Sequence, residues 1–422
     1  MRENYYWYND MPDAKGLNFF TEPNVFFQSL LSPNDGKQRN GNRYYYSILE
    51  NLSETSTRSI QQTDYSYGFE FRVYDMGRGN QYGALILYVV PDSPAWEAGL
   101  KRGEWIFEID GKPLSDANYT TLAGGGATKL GIGIWHENDF VPIGEYTMEA
   151  ARKINDNPIH YHTTIHYPNG KRIGYLVYNQ FKAGINDGDN TYDDDLREVS
   201  HEFKDKDVNE FVLDLRYNNG GLLTSAELLC AILAPESALG QSLGYVEFNN
   251  KHNPPIQNIS LNTNILKGGV NLNLSTLYVL ISEASASASE MVINSLSPYM
   301  KVVLIGTQTE GKNVGSTTYK NEEFNWALHP IVCKIYNSEN MSEYANGFIP
   351  DYTANESLNI NNFLDFGNPD ELLLNTALQL INGTYKEEEE EDIYSASRSL
   401  TRKPVPVHCS LDRKATNGVI IQ

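Results

Sequence analysis

The chain has 422 residues, and at about 100–200 residues per domain this length accommodates two to four domains with at least one large core. With 33 Lys plus Arg against 54 Asp plus Glu the net charge is −21, the wrong sign for a protein that tracks a phosphate backbone, so a general nucleic-acid role is disfavoured. Hydrophobic residues at 40% and aromatics at 12%, with 28 Tyr, exclude a disordered chain. Cys230, Cys333 and Cys409 are too far apart to suggest a disulfide framework or a zinc site. No run approaches the ~18–20 apolar residues of a membrane span, and the opening MRENYYWYND has no apolar export core.

In chain order, residues 1–60 mix aromatics, turn residues and polar runs, with Val25, Phe26, Phe27, Leu30 and Leu31 at helical spacing; a short helical preface is expected. From about Tyr67 to Gly133, short β-like runs (GFEFRVY, GALILYVV, EWIFEIDGKPL) are punctuated by Gly and Pro and predict a small β-rich module. Its LAGGGATKLGIG stretch fits no phosphate-binding fingerprint and reads as a flexible connection. His160, His162 and His166 fall on one face of a strand candidate without nearby cysteines or paired carboxylates, so a solvated strand face is expected and no metal site.

From Lys171 onward the pattern is strand, helix, strand, helix, strand: RIGYLVYNQF, DDDLREVSHEFKDKDV, FVLDLR, TSAELLCAILA, TLYVLIS, SASEMVINSL and KVVLIG. Stacked crossovers of this kind build a parallel sheet whose functional site lies at the carboxyl ends of its strands. After Ile381 a charged run, KEEEEED, precedes a stretch with little apolar periodicity that reads as a tail.

Three segments at those strand ends carry chemistry. LISEASASASEMVINSL crowds small residues at a strand-to-helix junction, where a serine can be presented and helix N–H groups can face an anion. An isolated Ser/Ala-rich turn more often merely caps its helix. TQTEGKNVGS places Lys312 in a Gly-flanked loop; a lysine acts as a base only when burial lowers its pKa, and most lone lysines are surface charges. FVLDLRYNNGGLL runs a strand into Asn-Asn-Gly-Gly, where a glycine N–H can complete an oxyanion hole or simply form a turn, while Asp214 and Arg216 shape the loop.

Together DLRYNNGG, SASASE and GK resemble the core blocks of the C-terminal processing, or tail-specific, peptidase family. Residues 67–115 extend the resemblance: YGFEF is similar to a PDZ carboxylate-binding turn and strand, and VVPDSPAWEAGLKRGEWIFEIDGKPL to the block that follows it. YYWYNDMP with FFQSLL resembles the N-terminal segment of exported members, and NGFIPDYTANESL and GNPDELLLNTALQLING the closing segments.

The resemblance implies an α/β fold with a crotonase-like (ClpP-like) αβ core, an inserted PDZ-like domain and an N-terminal helical segment. The boundaries it suggests are 1–62 for the N-terminal segment, 63–150 for the PDZ-like domain, 151–385 for the core and 386–422 for the tail. It implies a Ser–Lys dyad of Ser287 and Lys312, an oxyanion hole from Ala288 with Gly220 or Gly221, and peptide capture at Tyr67, Gly68 and Phe69. Among the three alternating serines the family's nucleophile-to-base spacing, here 25 positions from Ser287 to Lys312, picks out Ser287, with Ser285 and Ser289 as the competing positions.

One departure stands out. Where several members continue G-K-G-x-x-Q, this chain reads Gly311-Lys312-Asn313-Val314-Gly315-Ser316, which puts Ser316 at the position of a lysine-supporting glutamine. The implied activity is hydrolysis of protein or peptide substrates recognised by their C-terminal tails, without a cofactor. The expected location is the periplasm or outer membrane of a Gram-negative bacterium, with a leader removed. The rivals are a catalytically weak PDZ-bearing peptide binder on the same fold and, less compatible with the PDZ-like insertion, an acyl-CoA enzyme.

Overall fold

The computed structural model describes residues 1–39, 41–52, 65–77, 79, 81–136, 139–186, 188–321, 323–360, 363–386, 404–413 and 419–421. The acidic run from residue 387 onward, much of the expected tail and the expected boundary near residue 62 lie outside them. The chain forms two compact units, each assembled from distant stretches: Met1–Ile60 with Asn157–Tyr352 and Arg413–Gln422, and Gln61–Asp156 with Thr353–Asp412. Among the described residues no helix is long and apolar enough to cross a membrane.

The second unit is built on antiparallel strands β1 (Phe69–Asp75), β2 (Tyr82–Val89), β3 (Trp105–Ile109), β4 (Thr128–His136) and β5 (Asp139–Met148), with Ser93 capping a short helix, Pro94–Glu97. Apolar side chains of these strands, among them Phe69, Phe71, Ile86, Ile106 and Ile132, form its core. Of the glycine-rich stretch expected to be a flexible connection, the second half, Thr128–Gly133, is instead part of strand β4. A Cβ on Gly131 would stand 2.8 Å from the Glu108 side chain, and one on Gly133 2.7 Å from the Val141 carbonyl, so these glycines permit close strand approach.

In the first unit, β6 (Ile159–His166) pairs antiparallel with β7 (Arg172–Tyr178). There follow α1 (Thr191–Asp205), β8 (Glu210–Asp214), α2 (Leu223–Leu233), β9 (Ser242–Phe248), β10 (Thr276–Ile281), α3 (Ala288–Leu296) and β11 (Lys301–Gly306). Strands β7, β8, β10 and β11 are parallel neighbours in that order. The apolar strand runs therefore became buried parallel strands, as their lack of alternation requires.

Helix α1 starts with Asp193 and Asp194 in its first turn and ends with Lys204, both favourable to the helix dipole. Helices α2 and α3 bury nearly every residue and share one core with β8 and β10 through Leu213, Leu228, Val279 and Met291. Fully burying each such side chain is worth about 1.5–3 kcal/mol. The carboxyl ends of β8, β10 and β11 align in register, Asp214 beside Leu280 and Ile281 beside Gly306. The three chemistry-bearing loops thus leave the sheet at one end.

A further sheet joins β9 to β13 (Ile331–Asn337) and β12 (Val314–Ser316) to β13. The N-terminal stretch is less helical than its apolar spacing suggests. Among its described residues the one α-helix, Pro23–Gln28, stops before Leu30, and the chain then turns through Pro33-Asn34-Asp35-Gly36 into short strands that include Ile48–Asn51. Leu30, Leu31 and Phe27 still pack together, with Tyr5, Tyr46 and Ile331.

The closing segments add α4 (Leu372–Asn382) and β14 (Val405–Cys409) to the second unit and β15 (Val419–Ile420) to the first. Helix α4 is capped by the Glu371 carboxylate, which accepts the Leu374 N–H, and ends at left-handed Gly383.

Candidate active site

Three serines alternate across the junction between β10 and α3, each with its own hydrogen-bond partners. Ser285 Oγ donates to the Leu215 carbonyl at 2.8 Å and accepts the Ser282 N–H at 2.9 Å. Ser289 Oγ donates to the Asn218 carbonyl at 2.9 Å. Both hydroxyls are thereby tied to the main chain of the neighbouring loop. Ser287, also fully buried, takes φ 61° and ψ −107° immediately before α3, a left-handed conformation costing an L-residue on the order of 1–3 kcal/mol. A serine on a strained strand-to-helix turn has its hydroxyl projected at the sheet's carboxyl end.

The strain is held by Glu290, whose carboxylate lies wholly buried. Its Oε2 accepts the N–H of Ser287 at 2.9 Å and of Lys312 at 2.7 Å, and its Oε1 accepts the Gly311 N–H at 2.6 Å and the Thr309 hydroxyl at 2.5 Å. One carboxylate therefore ties the serine turn to the lysine loop. Burial raises the Glu290 pKa, and these four donors oppose the rise.

Gly220 packs directly on this turn: with φ at +106°, a Cβ there would come 2.9 Å from Ser287 Cβ and 3.1 Å from the Ala288 nitrogen. Its own N–H is already engaged, donating to Asn218 Oδ1 at 2.8 Å. Gly221, at φ +138°, lies against the Phe181 carbonyl, and among the described residues its N–H meets no acceptor. Ala288 opens α3, so its N–H has no acceptor within the helix. Behind the turn the Arg216 guanidinium is paired to Asp214 at 2.8 and 2.9 Å, and Tyr175 donates to the same carboxylate at 2.8 Å.

Lys312 is completely buried, and burial lowers its pKa to about 8 against the opposing pull of Asp35, Glu310 and Glu290. Its Nζ lies 4.9 Å from the centre of the Tyr46 ring. The surrounding wall is contributed by the N-terminal stretch. Asp35 Oδ1 accepts the N–H groups of Tyr46 and Ser47 at 2.9 and 3.0 Å, and its Oδ2 accepts the Tyr5 hydroxyl at 2.8 Å. Tyr44 donates to Glu310, and Lys37 lies 3.8 Å from the same carboxylate.

Ser287, Ala288, Gly220, Gly221 and Lys312 thus converge at one end of the parallel sheet. Ser316 is buried in β12, where its carbonyl accepts the Ile421 N–H; the groups acting on Lys312 include Tyr46, Asp35, Glu310 and Glu290. In the second unit Gly68 turns at φ +84° ahead of β1, with its N–H on Ser66 Oγ and its carbonyl accepting the Val90 N–H, while Tyr67 donates to the Gly126 carbonyl. Phe69 begins β1. His162 lies on β6 with Glu202 at 3.3 Å, and no cluster of metal-ligating side chains occurs among the described residues.

Sequence reasoning missed Glu290, Asp35 and Tyr46. The Ser287-x-x-Glu290 spacing is a capping-box signature and marks the first of these. No local pattern marks the other two.

The sequence matches the peptidase family S41 over residues 172–354, the S41 N-terminal domain over 1–67 and a PDZ domain over 85–122. A crystal structure of an S41 protein from Bacteroides fragilis is 41% identical, covers 92% of this chain and 96% of that one, and superposes with a TM-score of 0.83. The chain belongs to the peptidase family S41, with the mixed α/β fold, N-terminal domain and PDZ domain of that family.

Among curated relatives, the carboxyl-terminal-processing protease of Synechocystis sp. is 24% identical over 302 residues, 71% of this chain and 65% of the relative. The carboxy-terminal-processing protease of Bartonella bacilliformis is 26% identical over 283 residues, 65% of this chain and 59% of the relative. The chain therefore spans less than two thirds of the length of these relatives.

Proposed function

We propose that this chain is a serine endopeptidase with a Ser287–Lys312 dyad on a crotonase-like core, acting on protein substrates engaged through their C-terminal tails. The observation that carries the reading is the fully buried Lys312, its pKa lowered to about 8, whose backbone shares the Glu290 carboxylate with that of Ser287. Neutral Nζ takes the proton from Ser287 Oγ as the oxygen attacks the scissile carbonyl carbon. The tetrahedral oxyanion is stabilised by the N–H groups of Ala288 and Gly221, each worth on the order of 3–4 kcal/mol in comparable sites. Collapse breaks the C–N bond, and the lysine ammonium returns its proton to the leaving amine. The same lysine then deprotonates the water that hydrolyses the acyl-enzyme.

Two features support substrate selection by tails. The PDZ domain offers Gly68 and strand β1 for main-chain capture of a peptide, and the named relatives are carboxyl-terminal-processing proteases. The reading includes export, so that substrates are met outside the cytoplasm.

Ser287→Ala and Lys312→Ala are each expected to reduce cleavage of an unfolded protein substrate to background with unchanged far-UV circular dichroism. A serine-directed phosphonate is expected to label Ser287 alone by mass spectrometry. Full activity in either variant, or labelling of Ser285 or Ser289, overturns the dyad. A chain that neither cleaves nor reacts but binds tail peptides is the peptide binder.

A further inference from the structure

Two separate stretches of the chain after α4 enter sheets as added strands, each beside a feature tied to peptide recognition. In the second unit β14 pairs antiparallel with β1 along the edge opposite β2, Val405 beside Asp75 and Cys409 beside Arg72. It therefore runs toward the Gly68 turn, the direction in which a peptide lies when it extends a PDZ sheet. Ser410 completes the seam: its hydroxyl accepts the Phe71 N–H at 2.8 Å and donates to Glu70. Val405 and Val407 remain about half exposed.

In the first unit β15 pairs parallel with β12, Val419 beside Gly315 and Ile420 beside Ser316. Its main chain is clamped from both sides. Ile420 N–H donates to the Gly221 carbonyl and Ile421 N–H to the Ser316 carbonyl, both at 3.0 Å, while Thr317 Oγ1 donates to the Ile421 carbonyl at 3.0 Å. The Ile421 side chain joins the apolar core that also holds Phe181 and Leu223. Gly221 belongs to the candidate oxyanion loop, and β12 begins two residues after Lys312. The slot between that loop and β12 thus holds an extended apolar peptide beside the dyad.

We propose that Val405–Cys409 and Val419–Ile420 are a tethered peptide ligand of the protein's own two peptide-recognition edges, which an incoming substrate displaces strand for strand. The chemistry of the displacing partner follows from the occupant: an extended segment with main-chain N–H groups free to pair and a bulky aliphatic residue at the place of Ile421. The proposal rests on the peptidase reading only for its consequence, competition with substrate; the binding itself stands apart from turnover. Because the occupant is covalently attached, its effective concentration is of millimolar order, and a free peptide of micromolar affinity competes poorly.

The experiment compares the full chain with one ending at Lys386, both carrying Ser287→Ala so that nothing is consumed. The probe is a fluorescein-labelled peptide of residues 404–422, followed by anisotropy, with a scrambled peptide as control. The truncated chain is expected to bind the probe about tenfold or more tighter than the full chain. Full chains carrying Ile420→Pro, which removes the N–H donated to Gly221, or Ile421→Asp are expected to gain probe binding at the vacated slot, and these variants decide the matter if truncation unfolds the protein. Equal binding by full chain and variants, or equal binding of the scrambled peptide, overturns the proposal. With Ser287 restored, the Lys386-terminated chain is expected to show a lower KM at unchanged kcat. Binding as described without any hydrolysis retains the tethered ligand and defeats the peptidase reading, whereas hydrolysis without such binding does the reverse.

Discussion

At the scale of single residues, the proposed chemistry turns on the charge of one amine. In water a lysine holds its proton until about pH 10.4, but desolvation of the fully buried Lys312 lowers its pKa to about 8. A base must be neutral to accept a proton, so activity depends on the deprotonated fraction. Below about pH 8 that fraction falls roughly tenfold per pH unit. The kcat/KM profile is therefore expected to rise with pH and level off above an apparent pKa near 8; a profile flat from pH 6 to 10 removes Lys312 from the role of base. The linked stability has the same sign. Between pH 8 and 10.5 the unfolded chain binds more protons at this site than the folded one, so folding gains from raising the pH through that window and loses as pH falls back from 10.5 to 8, with no further change from this group below it.

At the scale of elements, the junction between β10 and α3 works because an acidic helix residue closes it. Glu290 accepts three main-chain N–H groups and one hydroxyl, and a glutamine in its place offers one acceptor oxygen and turns an NH2 group toward donors. Glu290→Gln is expected to destabilise the protein by about 1–3 kcal/mol and to lower kcat more than it changes KM, measured by chemical denaturation and steady-state kinetics. Unchanged kcat would show that the turn holds Ser287 without it.

The strands and helices of this region were legible because continuous apolar runs such as FVLDLR and TLYVLIS admit only burial on both faces. The glycines of β4 were misread, since a sequence shows that a glycine is permissive but not whether a neighbouring strand crowds it. Asp35 and Tyr46 were illegible for another reason: they lie in a Tyr-rich stretch without periodicity, and the lysine they act on is more than 200 residues away in the chain. The serine choice was legible only through the family-like spacing of Ser287 to Lys312, since the alternating SASAS run by itself offers Ser285 and Ser289 equally; the structure adds that those two hydroxyls donate to the carbonyls of Leu215 and Asn218.

At the scale of the whole molecule, both units are made of stretches that meet only in three dimensions. In the second unit Arg102 fastens the two parts: it lies 3.2 Å from Glu356 and 3.8 Å from Glu371, donates to the carbonyls of Leu364 and Leu87, and stacks on Phe363 and Phe366 at 3.9 and 4.3 Å. Removing such a guanidinium strands buried carboxylates. Arg102→Met is expected to cost about 3–5 kcal/mol of unfolding free energy, and Arg102→Lys to restore less than half, because an ammonium cannot reproduce the planar, multiply bonded contact. A loss below about 1 kcal/mol would show that the packing of α4 suffices.

The wall around Lys312 sets a limit on dissection. Residues 172–354, the stretch that matches the family core, contain the serine, the lysine and both glycines, yet not Asp35, Tyr44 or Tyr46. A fragment cut to that span would keep every residue of the proposed reaction while opening the amine to water, where it returns toward an ordinary, permanently protonated lysine. On the proposed mechanism, what would make Lys312 a base is therefore inherited from the far end of the polypeptide, and the smallest chemically complete unit is larger than the smallest recognisable one.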